Sequence, residues 1–207
     1  MVAKFLNLNP EKQERIMNAA MKEFAQKGYE QASTNEIVKD AEISKGILFH
    51  YFKNKKEMFL FLYDRSVELM MEDFLAKLDT REKDLFVKWR QAVMLKLDLI
   101  RKHPDLFDFL RVAYVEDANE IKDDLKQRNQ ALIATGFNTL FSHIDTTKFK
   151  EGTDIERTLN IIFWTLEGFG ARYQDRIKSS PFTEIEMKEL VAEMDQYMEV
   201  LKQAFYK

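Results

Sequence analysis

The chain has 207 residues, 32 Lys and Arg against 35 Asp and Glu, a formal net charge of −3 and no cysteine. The lack of cysteine excludes disulfides, a thiolate nucleophile and any Cys-based metal site, and it suits a reducing compartment. The longest unbroken apolar run, Met58–Tyr63, is far short of a membrane span, and the stretch MVAKFLNLNPEKQ lacks the apolar centre of a secretory signal, so a cytoplasmic protein with no membrane partner is expected.

Only 6 Gly and 3 Pro punctuate the sequence, and no period-2 alternation of strand length occurs, which predicts an all-α fold. Asn9-Pro10 reads as an N-cap followed by Pro at the first helical position, opening a helix to about Lys27 with Gly28 at its C′ position. Two short helices follow within residues 33–52. A fourth, near Lys55–Leu78, carries Met58, Phe59, Leu62 and Val67. Arg81–Lys102 reads as a fifth, closed by His103-Pro104, and Pro104 starts a short sixth to about Ala113. Asn119–Ile144 is the seventh, Asp145–Thr153 a loop, and Asp154–Lys178 and Thr183–Tyr206 the last two, separated by Ser179-Ser180-Pro181. No repeat or flexible linker interrupts this order. The expected division is a head at 1–56 and a body at 57–207.

Charge divides the same way. Residues 1–56 hold ten Lys and Arg against seven Asp and Glu, a net of +3, while residues 57–207 hold twenty-two against twenty-eight, a net of −6. A basic segment inside an acidic protein points to a local anionic partner.

The segment 33–55, STNEIVKDAEISKGILFHYFKNK, concentrates the chemistry. Ser33 and Glu36 have the spacing of a capping box, with Thr34 as the alternative N-cap. Ile37, Val38 and Ala41 give a short apolar face, which Asp40-Ala41-Glu42-Ile43 breaks. Ser44 is a second N-cap, and Leu48 and Phe52 share the buried face of the helix behind it by their i, i+4 spacing. Helix, tight turn and helix make a helix-turn-helix over about 33–52, whose second helix enters a DNA major groove.

The run Ser44-Lys45-Gly46-Ile47-Leu48-Phe49-His50-Tyr51-Phe52-Lys53-Asn54-Lys55 resembles the recognition-helix signature of TetR-type transcriptional regulators. Ile16, Ala19, Ala20 and Phe24 followed by Gly28-Tyr29 are similar to that family's first helix, so the resemblance covers roughly residues 10–70. It implies a three-helix DNA-binding head joined by a helix to a larger C-terminal helical effector-binding and dimerisation domain. It also implies a homodimer on a palindromic double-stranded operator. By resemblance Lys45, Gly46 and Ile47 face bases: Lys45 can donate to guanine, and Ile47 can touch a thymine methyl. Thr34, His50, Tyr51 and Lys55 match backbone-phosphate positions, with Ser33 and Ser44 beside them at the two helix starts. For Tyr51 the alternative is a packing residue. Two departures stand out. Glu42 occupies a turn position that many relatives fill with Gly, and Phe49 replaces a usual Tyr and loses its phenolic donor.

The body is dense in aromatic and sulfur side chains, and its interior is the expected effector site. Tyr63, Trp89, Met94, His103, Phe107, Tyr114, Phe137, Phe141, Trp164 and Glu167 are the candidates. The bland alternative is plain core. Glu167, inside IIFWTLEGFGARY, could meet a cationic effector, an Arg across a dimer seam, or solvent. Gly168 and Gly170, with Tyr173, mark a candidate dimer seam; a tight crossing within the chain is the alternative. A dimer also follows from DNA logic, since one short helix reads too few base pairs.

The leading expectation is a ligand-responsive transcriptional regulator, most naturally a repressor, with an unknown small-molecule effector and no cofactor. An activator, or a regulator controlled by a protein partner, is the alternative. A helical-bundle enzyme is disfavoured: His50, His103 and His143 lie on separate elements, and no metal-ligand, dinucleotide or P-loop spacing occurs.

Overall fold

The computed structural model describes the backbone of residues 2–177 and 183–207, and their side chains except residues 2, 173–177 and 184. Among the described residues the elements are helices α1 (Val2–Leu6), α2 (Pro10–Gln31), α3 (Thr34–Asp40), α4 (Lys45–Tyr51), α5 (Lys55–Lys77), α6 (Leu85–Lys102), α7 (Pro104–Val115), α8 (Lys122–Phe141), α9 (Ile155–Ile177) and α10 (Glu184–Phe205). The packing divides into two compact units. One comprises the chain up to Ala76 with Leu99–Leu132, and the other Lys77–Asp98 with Ile133–Lys207. The expected head, residues 1–56, lies wholly in the first.

In the first unit, α2 starts as its sequence dictates. Asn9 caps it by accepting from the Glu11 N–H at 2.9 Å, and Pro10 occupies the first turn, where its missing N–H costs nothing. Gly28 interrupts the helix with φ 68 and ψ 179, a region open to little besides glycine, and a last turn then runs on to Gln31. Ile16, Phe24, Phe59 and Phe109 pack in the core of this unit, so α2, α5 and α7 share one apolar interior. Phe59 meets Phe24 edge-on at 4.8 Å and Phe109 at 5.3 Å between centroids.

The turn between α3 and α4 is a Schellman closure. Glu42 N–H donates to the Lys39 carbonyl at 3.2 Å and Ile43 N–H to Val38 at 3.0 Å. Glu42 takes the left-handed conformation this requires, with φ 51, and its carboxylate lies 3.6 Å from the Arg15 guanidinium. Its Cβ costs ~1–2 kcal/mol there relative to a glycine. Ile43 and Val38 both pack against the core of this unit.

One local expectation is corrected. Ser33 is the N-cap of α3, but its side chain makes no cap, and the capping box with Glu36 does not form. The Ser33 N–H instead donates to Glu23 Oε1 at 2.9 Å. Glu23 is a buried carboxylate on α2 and also pairs with Lys27 at 2.9 Å. Burial alone raises its pKa, but the bonds from Ser33 and Lys27 outweigh that and hold it lowered.

The second unit has its own core of Leu85, Trp89, Phe141, Ile162, Leu166 and Met194. Asp84 caps α6 by accepting from Phe86 and Val87 N–H groups, and it pairs with Lys148 at 2.7 Å. Buried Lys88 donates to the Ser142 carbonyl just beyond α8 at 2.9 Å. The loop 145–153 folds into a 3-10 turn, Thr146–Lys148, and then an isolated antiparallel bridge between Phe149 and Tyr206. Thr183 and Glu186 form a full capping box at the start of α10.

Candidate nucleic-acid interface

Helix α4 separates its residues by face. Leu48 and Phe52 are almost fully buried, whereas Ser44, Lys45, Gly46, Ile47, Phe49 and His50 are exposed. The i, i+4 pair thus anchors the helix to the head and turns the opposite face outward. Ser44 Oγ accepts from the Ile47 N–H at 3.3 Å and closes the first turn. Lys45 and Gly46 follow at the exposed start.

Gly46 has no role in the protein's own packing. Its φ is not positive, and an added Cβ would find only Ser44 Oγ, at 4.0 Å. A glycine that the fold does not require, on an outward helix face, leaves the backbone open to close approach by something else.

The expected phosphate-facing residues fall into different settings. Thr34 and Ser33 are half-buried at the start of α3, and His50 is exposed. Tyr51 is turned into the head at 9% exposure, edge-on to Phe5 at 5.8 Å. The Lys55 ammonium donates to the carbonyls of Glu30, at 3.1 Å, and Ala32, at 3.2 Å, and sits 4.7 Å from the centre of the Tyr29 ring. It therefore closes the carbonyl end of α2. Lys56, next along α5, donates to the Glu120 carbonyl and pairs with Asp124 at 2.8 Å.

Sequence reasoning missed α1 altogether. Its Phe5 is fully buried among Tyr51, Phe52 and Phe61, at ring distances of 5.8, 5.1 and 5.3 Å. That places exposed Lys4 beside the recognition helix, its Nζ 3.4 Å from His50 Nε2. The signal was a lone Phe-Leu pair ahead of Asn9-Pro10, too short for any periodicity to register.

The body candidates are distributed over both units. In the first, Tyr63 is buried and its hydroxyl donates to Asn129 Oδ1 at 2.5 Å. Burial, with the Asp64 charge nearby, pushes its pKa up to about 12. Phe107 is half-buried, Tyr114 is exposed, and exposed His103 lies 3.9 Å from Asp73. In the second, Trp89, Phe137 and Phe141 gather around Phe163 in an aromatic cluster, at ring distances of 6.1, 5.1 and 6.1 Å. Met94, Trp164 and Glu167 face outward. Among the described residues no group of three or more His, Asp or Glu is placed to hold a metal ion.

Gly168 is exposed and Gly170 half-buried on α9, and an added Cβ on either meets nothing within 4 Å. Neither marks a tight crossing among the described residues. The Tyr173 side chain lies outside the described residues. On the same helix Trp164 is 66% exposed and Ile161 43%, and on α10 Ile185 is 69% and Val200 65% exposed.

The family model described as bacterial regulatory proteins, tetR family, matches residues 16–62. The chain is 24% identical over 157 residues to the fatty acid metabolism regulator protein of Bacillus subtilis, covering 74% of this chain and 78% of that protein. Among solved structures, a TetR-like transcriptional regulator from Rhodococcus sp. RHA1 has the same fold, with a TM-score of 0.67 at 19% identity over 90% of this chain and 94% of that one. The transcriptional regulator FadR from Bacillus subtilis, solved in complex with stearoyl-CoA, gives a TM-score of 0.62 at 20% identity over 91% and 96%. No helix among the described residues is long and apolar enough to cross a membrane.

Proposed function

We propose, given that this chain belongs to the tetR family of bacterial regulatory proteins, that it binds a palindromic DNA operator as a homodimer in the cytoplasm. On this reading it represses transcription until a small-molecule effector releases it. The family is one of regulators, and the chain is a regulator and not an enzyme. The observation that carries the DNA-binding part is the outward face of α4: Lys45, Gly46, Ile47 and His50 stand exposed on a helix locked from behind by Leu48 and Phe52. Lys45 and Ile47 offer base contacts, Gly46 allows close approach, and His50 with Thr34, Ser33 and Ser44 offers hydrogen bonds to the backbone.

The exposed apolar residues Ile161 and Trp164 on α9, with Ile185 and Val200 on α10, supply the dimer face beside Gly168 and Gly170. For the effector, the relative solved with stearoyl-CoA makes long-chain acyl-CoA the first class to test. An effector acts by binding the DNA-incompetent state more tightly than the competent one.

The test is selection of duplexes from a random-sequence library, followed by challenge with stearoyl-CoA. Enrichment of a palindrome by wild-type protein, lost with Lys45→Ala, supports the reading. No enrichment at low salt overturns it. Retention of the enriched duplex at saturating stearoyl-CoA removes that effector class alone.

A further inference from the structure

We propose that Lys4 and His50 together grip one backbone phosphate of duplex DNA, so that α1 is part of the DNA-binding surface. The inference rests on the DNA-binding reading of α4 and adds a residue from outside the helix-turn-helix.

Three observations lead to it. First, α1 is fixed to the head: Phe5 is fully buried against Tyr51, Phe52 and Phe61. The chain leaving α1 is also tied down, because Leu8 N–H donates to the Phe5 carbonyl at 3.0 Å and Gln13 Nε2 donates to the Leu6 and Leu8 carbonyls at 3.0 and 2.8 Å. A side chain next to Phe5 therefore has a defined position relative to α4. Second, Lys4 is exposed and its ammonium lies 3.4 Å from His50 Nε2, on the outward side of the recognition helix. Third, among the described residues neither Lys4 nor His50 pairs with a carboxylate. Other basic residues of this unit do pair with an acid, as Arg15 does with Glu42 and Lys22 with Asp40.

Two nitrogen donors converging on open solvent, with no acid between them, have the geometry of an anion clamp. A phosphate oxygen set between them accepts from both, which makes the pair better satisfied with the anion than without it. The phosphodiester of duplex DNA is the anion that α4 brings to this spot, since base contacts by Lys45 hold the groove edges alongside.

The experiment measures binding of the full chain to short random-sequence duplex DNA across a salt series. Lys4→Ala should lower the slope of log K against log salt by about 0.9, the loss of one neutralised phosphate, with unchanged melting temperature. Lys4→Arg should restore the slope. Effects of Lys4→Ala and His50→Ala should be less than additive, because one phosphate is shared. An unchanged slope for Lys4→Ala, with wild type still binding in a salt-dependent way, overturns this inference and leaves the DNA-binding reading intact. Strictly additive single effects overturn the shared phosphate. Absence of salt-dependent binding by wild type sinks the DNA-binding reading itself.

Discussion

Glu116 Oε2 accepts the backbone N–H of Tyr29 at 2.7 Å, directly behind Gly28, while its other oxygen accepts the Ala118 N–H at 3.1 Å. One carboxylate thus joins the end of α2 to the corner between α7 and α8. The same contact explains Gly28 in a second way, since a Cβ there would stand 3.2 Å from Glu116 Oε2. Glu116→Ala should cost about 1.5–3 kcal/mol in denaturant unfolding, the range for hydrogen bonds to a charged group. Gly28→Ala should cost about 1–3 kcal/mol through its backbone conformation. In the Glu116→Ala background part of that cost should vanish, as the crowding is relieved. A strictly additive pair would show that only the backbone strain matters.

Gly46 behaves in the opposite way. Its Cβ position is open, so Gly46→Ala should leave stability unchanged or raise it by up to about 1 kcal/mol, the helix-propensity difference. Binding to an enriched duplex should nevertheless weaken, because the methyl group intrudes on the approaching groove. Thermal melting and fluorescence anisotropy on one sample separate the two effects. Unchanged DNA affinity would remove Gly46 from the interface.

Lys55 divides two readings of one residue. Its ammonium caps the Glu30 and Ala32 carbonyls, so Lys55→Ala should lower stability by about 1–3 kcal/mol. The salt slope of DNA binding should then stay where it is. A slope reduced by about 0.9 would instead assign Lys55 a phosphate, as the family resemblance implies.

Trp164 on α9 is the largest exposed apolar residue of the second unit's outward faces. Trp164→Glu should shift the chain from dimer to monomer in analytical ultracentrifugation and weaken operator binding with it. A dimer that persists with unchanged affinity would place the seam elsewhere.

Asp84 sets part of the acid response. Burial raises its carboxyl pKa, but the Lys148 ion pair and the amides of Val87 and Phe86 outweigh burial and leave it below the ordinary aspartate value of 3.8. A carboxyl with a lowered folded pKa adds stability that is fully present above the unfolded value and is lost as pH falls through the folded one. Stability should therefore be flat with respect to this group above about pH 5 and decline below about pH 4. Asp84→Asn should remove that part of the decline. An identical acid profile for the variant would refute the assignment.

The sequence determined what depends on neighbours along the chain. Asn9-Pro10 opened α2, Gly28 broke it, and the spacing of Leu48 and Phe52 told which face of α4 is buried. Each is a matter of local torsion or helical period, and both are written in residue order. Tertiary structure decided where a side chain found partners far away in the chain. Ser33 lost its expected capping box because Glu23, ten residues earlier, took its amide. Lys55 turned to carbonyls of α2, Tyr51 turned inward onto Phe5, and Trp164 turned out to solvent. Lys4 came beside His50 only because Phe5 docks α1 in the head's core. Hydrogen-bonding capacity and apolar area can be read from residue type, but which of several possible partners satisfies them is fixed only when packing brings them together.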